Sequence, residues 1–178
     1  MAKIVANFFI SLDGVVEAPD QWHFPYFDDE MGAVVGAGIE ATTVMLMGRT
    51  LYDEWAAYWP DSTDEPIASR FNAMPKYVVS SSLEKPEWNN TTVLTGSVEE
   101  VRRFKETVDG RIGMSGSATT VRWLLANGLL DELRLLVHPI VVGHGQRLFE
   151  ETPTHKLTLA ASAALSSGVL DLTYVPES

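Results

Sequence analysis

Apolar residues along this chain change period several times, from runs in which nearly every position is apolar to stretches where they recur every three or four residues. Ile4 to Leu12 is aliphatic and aromatic and ends at Asp13-Gly14. That pair supplies a residue tolerant of positive φ, so the run reads as a buried strand closed by a turn. Met31, Val34, Val35 and Ile39 return at helical spacing behind Asp28-Asp29-Glu30, whose charges suit a helix amino terminus. Thr43 to Met47, ending at Gly48, and Tyr77 to Ser80, after Pro75, are short runs that predict strands. Ser97 to Val108 opens on a capping-box pattern, Ser97 with Glu100, and places Val98, Val101, Phe104 and Val108 on one helical face. Arg111 to Ser115 then reads as a strand, Ala118 to Asn127 as a helix stopped by Gly128, and Glu132 to Val137 as a strand.

Strand and helix alternate through most of the chain, which predicts an α/β fold: a mainly parallel sheet with helices on both faces, joined by right-handed crossovers. The tail departs from this. Leu157 to Ala164 and Val169 to Val175 flank Ser166-Ser167-Gly168, a pattern that suits an antiparallel hairpin at one edge of the sheet. The 178 residues form one domain in this reading, because halves of that length struggle to bury enough apolar surface.

Residues 15 to 27 fit no period and carry Pro19, Pro25 and the aromatic residues Trp22, Phe24, Tyr26 and Phe27. A loop so apolar either packs on the protein or covers a ligand, so Trp22, Phe24 and Tyr26 are read as lid residues or as core aromatics.

Composition narrows the function. With 46% hydrophobic and 21% charged residues the chain is ordinary globular protein. Its net charge of -11 opposes binding to a polyphosphate backbone. Basic residues are scattered, and the pair Arg102-Arg103 reads as a solvated helix face. No cysteine is present, which excludes disulfides, thiol catalysis and cysteine-held metals. The histidines, His23, His138, His144 and His155, show no paired ligand spacing, so no metal is expected. The amino terminus shows no secretory pattern and no run approaches the length of a membrane span, so the expected location is the cytoplasm.

Chemistry concentrates at two predicted strand-to-helix junctions, Met47-Gly48-Arg49-Thr50 and Met114-Ser115-Gly116-Ser117-Ala118-Thr119-Thr120. In a parallel sheet both lie at carboxyl ends of strands, where unpaired helix amides and small residues let an anion approach the backbone. Arg49 adds a guanidinium able to grip a phosphate, and Ser80-Ser81-Ser82 ends a strand on the same rim. Helix capping, a surface ion pair and a serine turn are the alternatives for the three segments taken singly. Gly143-His144-Gly145 lacks the strand-to-helix setting of a dinucleotide fingerprint and reads as a tight loop. The sequence around Ser115 lacks the leading glycine of a hydrolase nucleophile elbow.

Several segments, taken in order, are similar to successive motifs of the dihydrofolate reductase-like family, in the branch formed by the carboxyl-terminal domain of the riboflavin biosynthesis protein RibD. They are Phe9 to Gly14, Met47 to Thr50, Tyr77 to Ser81, Ile112 to Ser117, Leu129 to Arg134 and Pro139 to Gly143. The resemblance implies the three-layer fold of that family, a homodimer and an NADPH groove across the strand ends. It implies that Arg49 and Ser80, Ser81 and Ser82 face the adenosine 2′-phosphate, with Gly48, Thr50, Gly116, Ser117, Ala118, Thr119 and Thr120 around the pyrophosphate. Asp13 is placed beside the nicotinamide, where it orients substrate or supplies a proton through water; its other role is that of a turn residue.

Riboflavin-pathway members of the family commonly carry Glu-Gly-Gly where this chain has Ser115-Gly116-Ser117, and Asp28, Asp29 and Glu30 stand near the region of the dihydrofolate reductase acid. The implied activity is NADPH-dependent reduction of a small heterocycle, 5-amino-6-(5-phosphoribosylamino)uracil first, with dihydrofolate reduction next. The rival classes are a nucleotide-binding module without turnover and a structural dimer in which Val137 to Val142 is interface.

Overall fold

Strand β1 (Lys3–Ser11) alternates its side chains across an eight-stranded sheet and shows how the layers are divided. Ile4, Ala6, Phe8 and Ile10 pack into the main core with residues of α4 (Val98–Thr107) and α5 (Ala118–Ala126), while Phe9 packs on the opposite face with Met31 of α1 (Asp29–Ala41). The period of two in the sequence is thus the two-sidedness of a central strand. The computed structural model describes residues 1–177.

The remaining parallel strands are β2 (Val44–Gly48), β3 (Lys76–Val79), β4 (Thr91–Leu94), β5 (Arg111–Ser115) and β6 (Glu132–His138). The hairpin of β7 (Leu157–Ala164) and β8 (Leu170–Pro176) adds antiparallel strands, giving the order β4-β3-β2-β5-β1-β6-β8-β7. Met45 and Met47 of β2 pack against Tyr52 of α2 (Arg49–Tyr58) and Phe71 of α3 (Ile67–Ala73). Helices α1 to α3 therefore cover one face of the sheet and α4 and α5 the other, which completes three layers. Among the described residues no helix is long and apolar enough to cross a membrane.

Local signals translate into bonds. Ser97 Oγ accepts from Glu100 N–H at 3.2 Å, while Glu100 Oε2 accepts from Gly96 N–H at 3.1 Å. The return bond of the capping box lands one residue upstream of its usual target. Asp28 caps α1 by accepting from Met31 N–H at 2.9 Å. Gly14, Gly128 and Gly168 take positive φ at the turns predicted for them.

Two elements escaped the sequence reading: α3, a helix of seven residues, and β4, a strand of four. Both are too short to establish a period. Residues 137–142, read as an interface in the structural-dimer alternative, are only partly at the surface. Val137 is paired in the sheet with Ile10 and Leu170, and His138 is fully buried, so only part of the segment, chiefly Val141, faces outward.

Candidate functional site

Strands β2 and β5 are neighbours, yet the helices that follow them leave on opposite faces of the sheet. That reversal opens a crevice at their carboxyl ends, the topological switch point at which open α/β sheets take ligands. Gly48 lies on one side and Ser117 on the other, with Gly48 N–H donating to Ser117 Oγ at 2.9 Å. A Cβ on Gly48 would stand 2.4 Å from Thr120 Oγ1, closer than real Cβ contacts come, so the glycine is what lets the start of α5 approach β2. Gly116 and Ser117 both take left-handed backbone, with φ of 75° and 62°. This turn presents the first amides of α5 to the crevice, a setting suited to an anion.

A groove of about 420 Å³ continues from there, lined by Arg49, Ser80, Ser81, Ser82, Thr119 and Thr120 together with Val79, Thr95, Gly96 and Trp123. The structure thus brings together three segments that the sequence offered separately. Arg49 Nε donates to both carboxylate oxygens of Asp53, at 2.8 and 2.9 Å, and its Nη1 donates to Ser82 Oγ at 3.3 Å. The surface ion pair and the groove wall are therefore one arrangement, with Asp53 fixing the guanidinium where the serines end. Ser80 Oγ accepts from the N–H groups of Ser82 and Leu83 at 3.2 and 3.1 Å, so its hydroxyl shapes the turn that carries the other two serines.

Not every predicted residue lines this groove. Gly48, Gly116 and Ser117 form the crevice beside it, Ala118 is buried in the main core, and Thr50 is exposed on α2. Thr95 and Gly96, which do line it, went unseen because β4 was unseen. The signal available was the capping box itself, since the residues just before a helix start at a strand end face the same rim.

Asp13 is held as a turn residue. Its carboxylate accepts from Ser11 Oγ at 2.6 Å, Val142 N–H at 3.0 Å and Gly143 N–H at 2.8 Å. These bonds, that from Ser11 first, lower its pKa to about 2. Arg147 Nε donates to the Asp13 carbonyl at 3.0 Å, and Leu148 N–H to that of Gly14, so residues 11–17 and 139–148 are laced together. The acids before α1 are also committed: Asp28 caps the helix, and Glu30 Oε2 accepts from Ser166 N–H and Oγ at 2.8 and 2.7 Å.

The apolar loop folds into two short 3-10 turns, Pro19–Gln21 and Phe24–Tyr26. Trp22 is buried and its indole N–H donates to the Glu17 carbonyl at 3.1 Å, so it is a core aromatic. Phe24 lies outermost, 63% exposed, and Tyr26 is half-buried with its hydroxyl 3.4 Å from the Pro139 carbonyl. Between them His23 stacks on Phe9 at 4.6 Å, with His138 edge-on at 6.2 Å. Burial lowers the pKa of both histidines, which favours the neutral rings. Among the described residues no three His, Asp or Glu side chains cluster to hold a metal ion.

A mainly parallel sheet with a carboxyl-terminal antiparallel hairpin, helices on both faces and a phosphate-compatible crevice at the switch point define the dihydrofolate reductase-like class. Residues 2–170 match the model of the RibD C-terminal domain, and the chain belongs to that family. The uncharacterised protein YyaP of Bacillus subtilis (strain 168) is 26% identical over 178 residues, 97% of this chain and 94% of that protein. A candidate riboflavin biosynthesis protein from Shewanella sp. PV-4 superposes with a TM-score of 0.80 at 20% identity, over 100% of both chains. The diaminohydroxyphosphoribosylaminopyrimidine deaminase/5-amino-6-(5-phosphoribosylamino)uracil reductase of Thermotoga maritima gives 0.69 at 13% identity, over 99% of this chain and 57% of that one. Dihydrofolate reductase from Enterococcus faecalis, complexed with NADP(H) and RAB-propyl, gives 0.64 at 14% identity, over 99% and 97%.

Proposed function

We propose that this protein is an NADPH-dependent reductase of a small planar heterocycle, with 5-amino-6-(5-phosphoribosylamino)uracil or a close analogue as the first acceptor to test. The observation that carries the reading is the convergence of Arg49, the Ser80 to Ser82 turn and the start of α5 on one groove at the switch point. A fixed guanidinium beside hydroxyl donors suits a 2′-phosphate, and helix amides behind small residues suit a pyrophosphate. The donor set therefore fits NADPH. Membership of the RibD C-terminal family supports the same cofactor and the same kind of acceptor.

Bound in this groove, NADPH supplies the hydride. The protein's part is to hold the phosphates, to shield the acceptor from water and to keep it in register with the nicotinamide. Thr119 and Thr120 offer hydroxyls beside the first amides of α5, and Arg49 selects the phosphorylated cofactor by charge. Asp13 acts through the loop it ties down. With its pKa near 2 it serves as an anchor, and the proton that accompanies the hydride enters by another route.

A second reading, reduction of a different heterocycle, draws on Ser115. It ends β5 where riboflavin-pathway members commonly carry a glutamate, so that carboxylate contact is missing. The proposed homodimer has a place to form along β7, an edge strand with nearly all of its residues exposed, Leu159 among them. Sedimentation at micromolar concentration checks it, with a monomer as the contrary result.

Calorimetric titration with NADPH beside NADH tests the cofactor. The expected result is NADPH binding at least tenfold tighter, followed by NADPH oxidation when pyrimidine, pterin and carbonyl acceptors are added in turn. Binding of neither nucleotide overturns the reading, and binding without oxidation by any acceptor favours a module without turnover.

A further inference from the structure

Three peptide bonds of this chain place a glycine after an aspartate or an asparagine: Asp13-Gly14, Asp109-Gly110 and Asn127-Gly128. At such a bond the glycine nitrogen, with no side chain beside it, attacks the preceding side-chain carbonyl carbon and closes a succinimide ring. The attack needs a side chain free to turn and a glycine N–H that no other group holds. Two of the three bonds fail these conditions. Asp13 accepts from Ser11 Oγ and from the N–H groups of Val142 and Gly143, while Gly14 N–H donates to the Ser11 carbonyl at 3.0 Å. At the end of α5, Asn127 Nδ2 donates to the Trp123 carbonyl at 2.8 Å and Gly128 N–H to that of Leu125 at 3.2 Å.

Asp109-Gly110 meets both conditions. It lies in the short link from α4 to β5, and both residues are exposed. Among the described residues the Asp109 carboxylate accepts no hydrogen bond and the Gly110 N–H donates none. The glycine itself is required: its φ is 110°, and a Cβ would stand 2.7 Å from both Thr43 Oγ1 and Thr43 Cγ2. The fold thus fixes Gly110 and leaves the aspartate before it unbound.

We propose that Asp109-Gly110 is a modification site at which the protein isomerises its own main chain, converting Asp109 to isoaspartate. Gly110 N bonds to Asp109 Cγ, the Cγ–OH bond breaks, and the hydroxyl leaves as water with the amide proton. Water then adds to the succinimide. Opening of the Cγ–N bond restores aspartate, and opening of the bond between N and the backbone carbonyl carbon gives isoaspartate, with no change of oxidation state. The main chain now runs through Cβ and Cγ and is one carbon longer. That carbon enters where Thr43 Oγ1 lies 3.2 Å from the Asp109 carbonyl and 3.0 Å from the Arg111 carbonyl, to which Thr43 N–H also donates at 3.0 Å. Isoaspartate therefore loosens β5 from the start of β2 at the amino ends of the strands, and the inference stands whether or not the groove at their other ends holds a nucleotide.

Peptide mapping of protein held for weeks at pH 5 tests this, with protein in guanidinium chloride as the unfolded reference and tandem mass spectrometry to tell isoaspartate from aspartate. Trypsin releases the bond in the peptide Glu106 to Arg111. The expected result is that Asp109 keeps most of its unfolded rate in the native protein. Asp13 should be slowed about tenfold or more, because its bonds hold its pKa at about 2 and an ionised carboxylate has no hydroxyl to lose. The unfolding midpoint of the held protein should fall, and that of Asp109→Glu, which would have to close a larger ring, should not. Slowing at Asp109 as strong as at Asp13 overturns the proposal, as does a native protein that gains no isoaspartate at Asp109 while the unfolded chain does. The wild-type maps decide even if Asp109→Glu fails to fold.

Discussion

Arg49 and Ser82 meet across the end of the sheet, with Nη1 3.3 Å from Oγ, while Asp53 holds the other edge of the same guanidinium. The charge is therefore placed before any phosphate arrives, which lowers the ordering cost of binding one. Under the proposed NADPH reading, Arg49→Ala removes the charge that would grip a 2′-phosphate. NADPH affinity should fall by about tenfold to a hundredfold, while NADH affinity stays within about twofold. Paired titrations check this, and equal losses for both nucleotides would move the 2′-phosphate elsewhere. Stability should hardly change, because the Arg49–Asp53 pair is exposed on both sides.

Gly48 makes a prediction of the opposite kind, in which stability and binding fall together. Gly48→Ala sets a methyl against Thr120 Oγ1, so the Thr120 side chain or the start of α5 must shift. The cost is expected at about 1–3 kcal/mol, typical of overpacking, with weakened NADPH binding at the displaced amides. Thr120→Ala on the same background should recover part of the stability. Chemical denaturation of the four proteins of this cycle measures the coupling.

These two residues also mark what sequence conveys and what it withholds. The junction containing Gly48 and Arg49 and the one containing Gly116 to Thr120 were legible as strand ends followed by helix starts, because the period changes there. That they face one another is a property of strand order, and no local pattern states that β2 lies beside β5. Thr95 and Gly96 stayed hidden because four residues of β4 are too few to show a period. The aromatic loop was legible as apolar but not as divided, and the stacking of His23 on Phe9 is a contact that hydrophobic spacing does not encode.

Asp13→Asn tests whether the carboxylate moves a proton or anchors a loop. The substitution exchanges one acceptor oxygen for a donor amide, so one of the bonds from Ser11, Val142 and Gly143 is lost or reversed. Amide exchange over residues 139–147 should quicken and the midpoint of unfolding fall, while the pH profile of turnover keeps its shape. Disappearance of one limb of that profile would instead assign Asp13 a proton role.

Lys76 offers a test of the fold apart from the site. It is fully buried, and its ammonium donates to the carbonyls of Phe71, Asn72 and Met74 at 2.8, 3.2 and 2.7 Å, with the Trp88 ring 4.4 Å away. It closes the carboxyl end of α3, where unpaired carbonyls favour a cation. Lys76→Met leaves the carbonyls of Phe71 and Met74 without this donor, Asn72 keeping its bond from Asn90 Nδ2, and should cost about 1–3 kcal/mol. Burial lowers the pKa of Lys76 from 10.5 to about 8. Between those values the unfolded chain binds more protons than the folded one at this position, so the contribution of Lys76 to stability rises as pH rises through that window. Subtracting the stability of Lys76→Met from that of the native protein cancels the other titrating groups. The difference should grow between pH 8 and 10 and stay level between pH 6 and 7. A difference flat across the whole range would mean that Lys76 keeps an ordinary lysine pKa despite its burial.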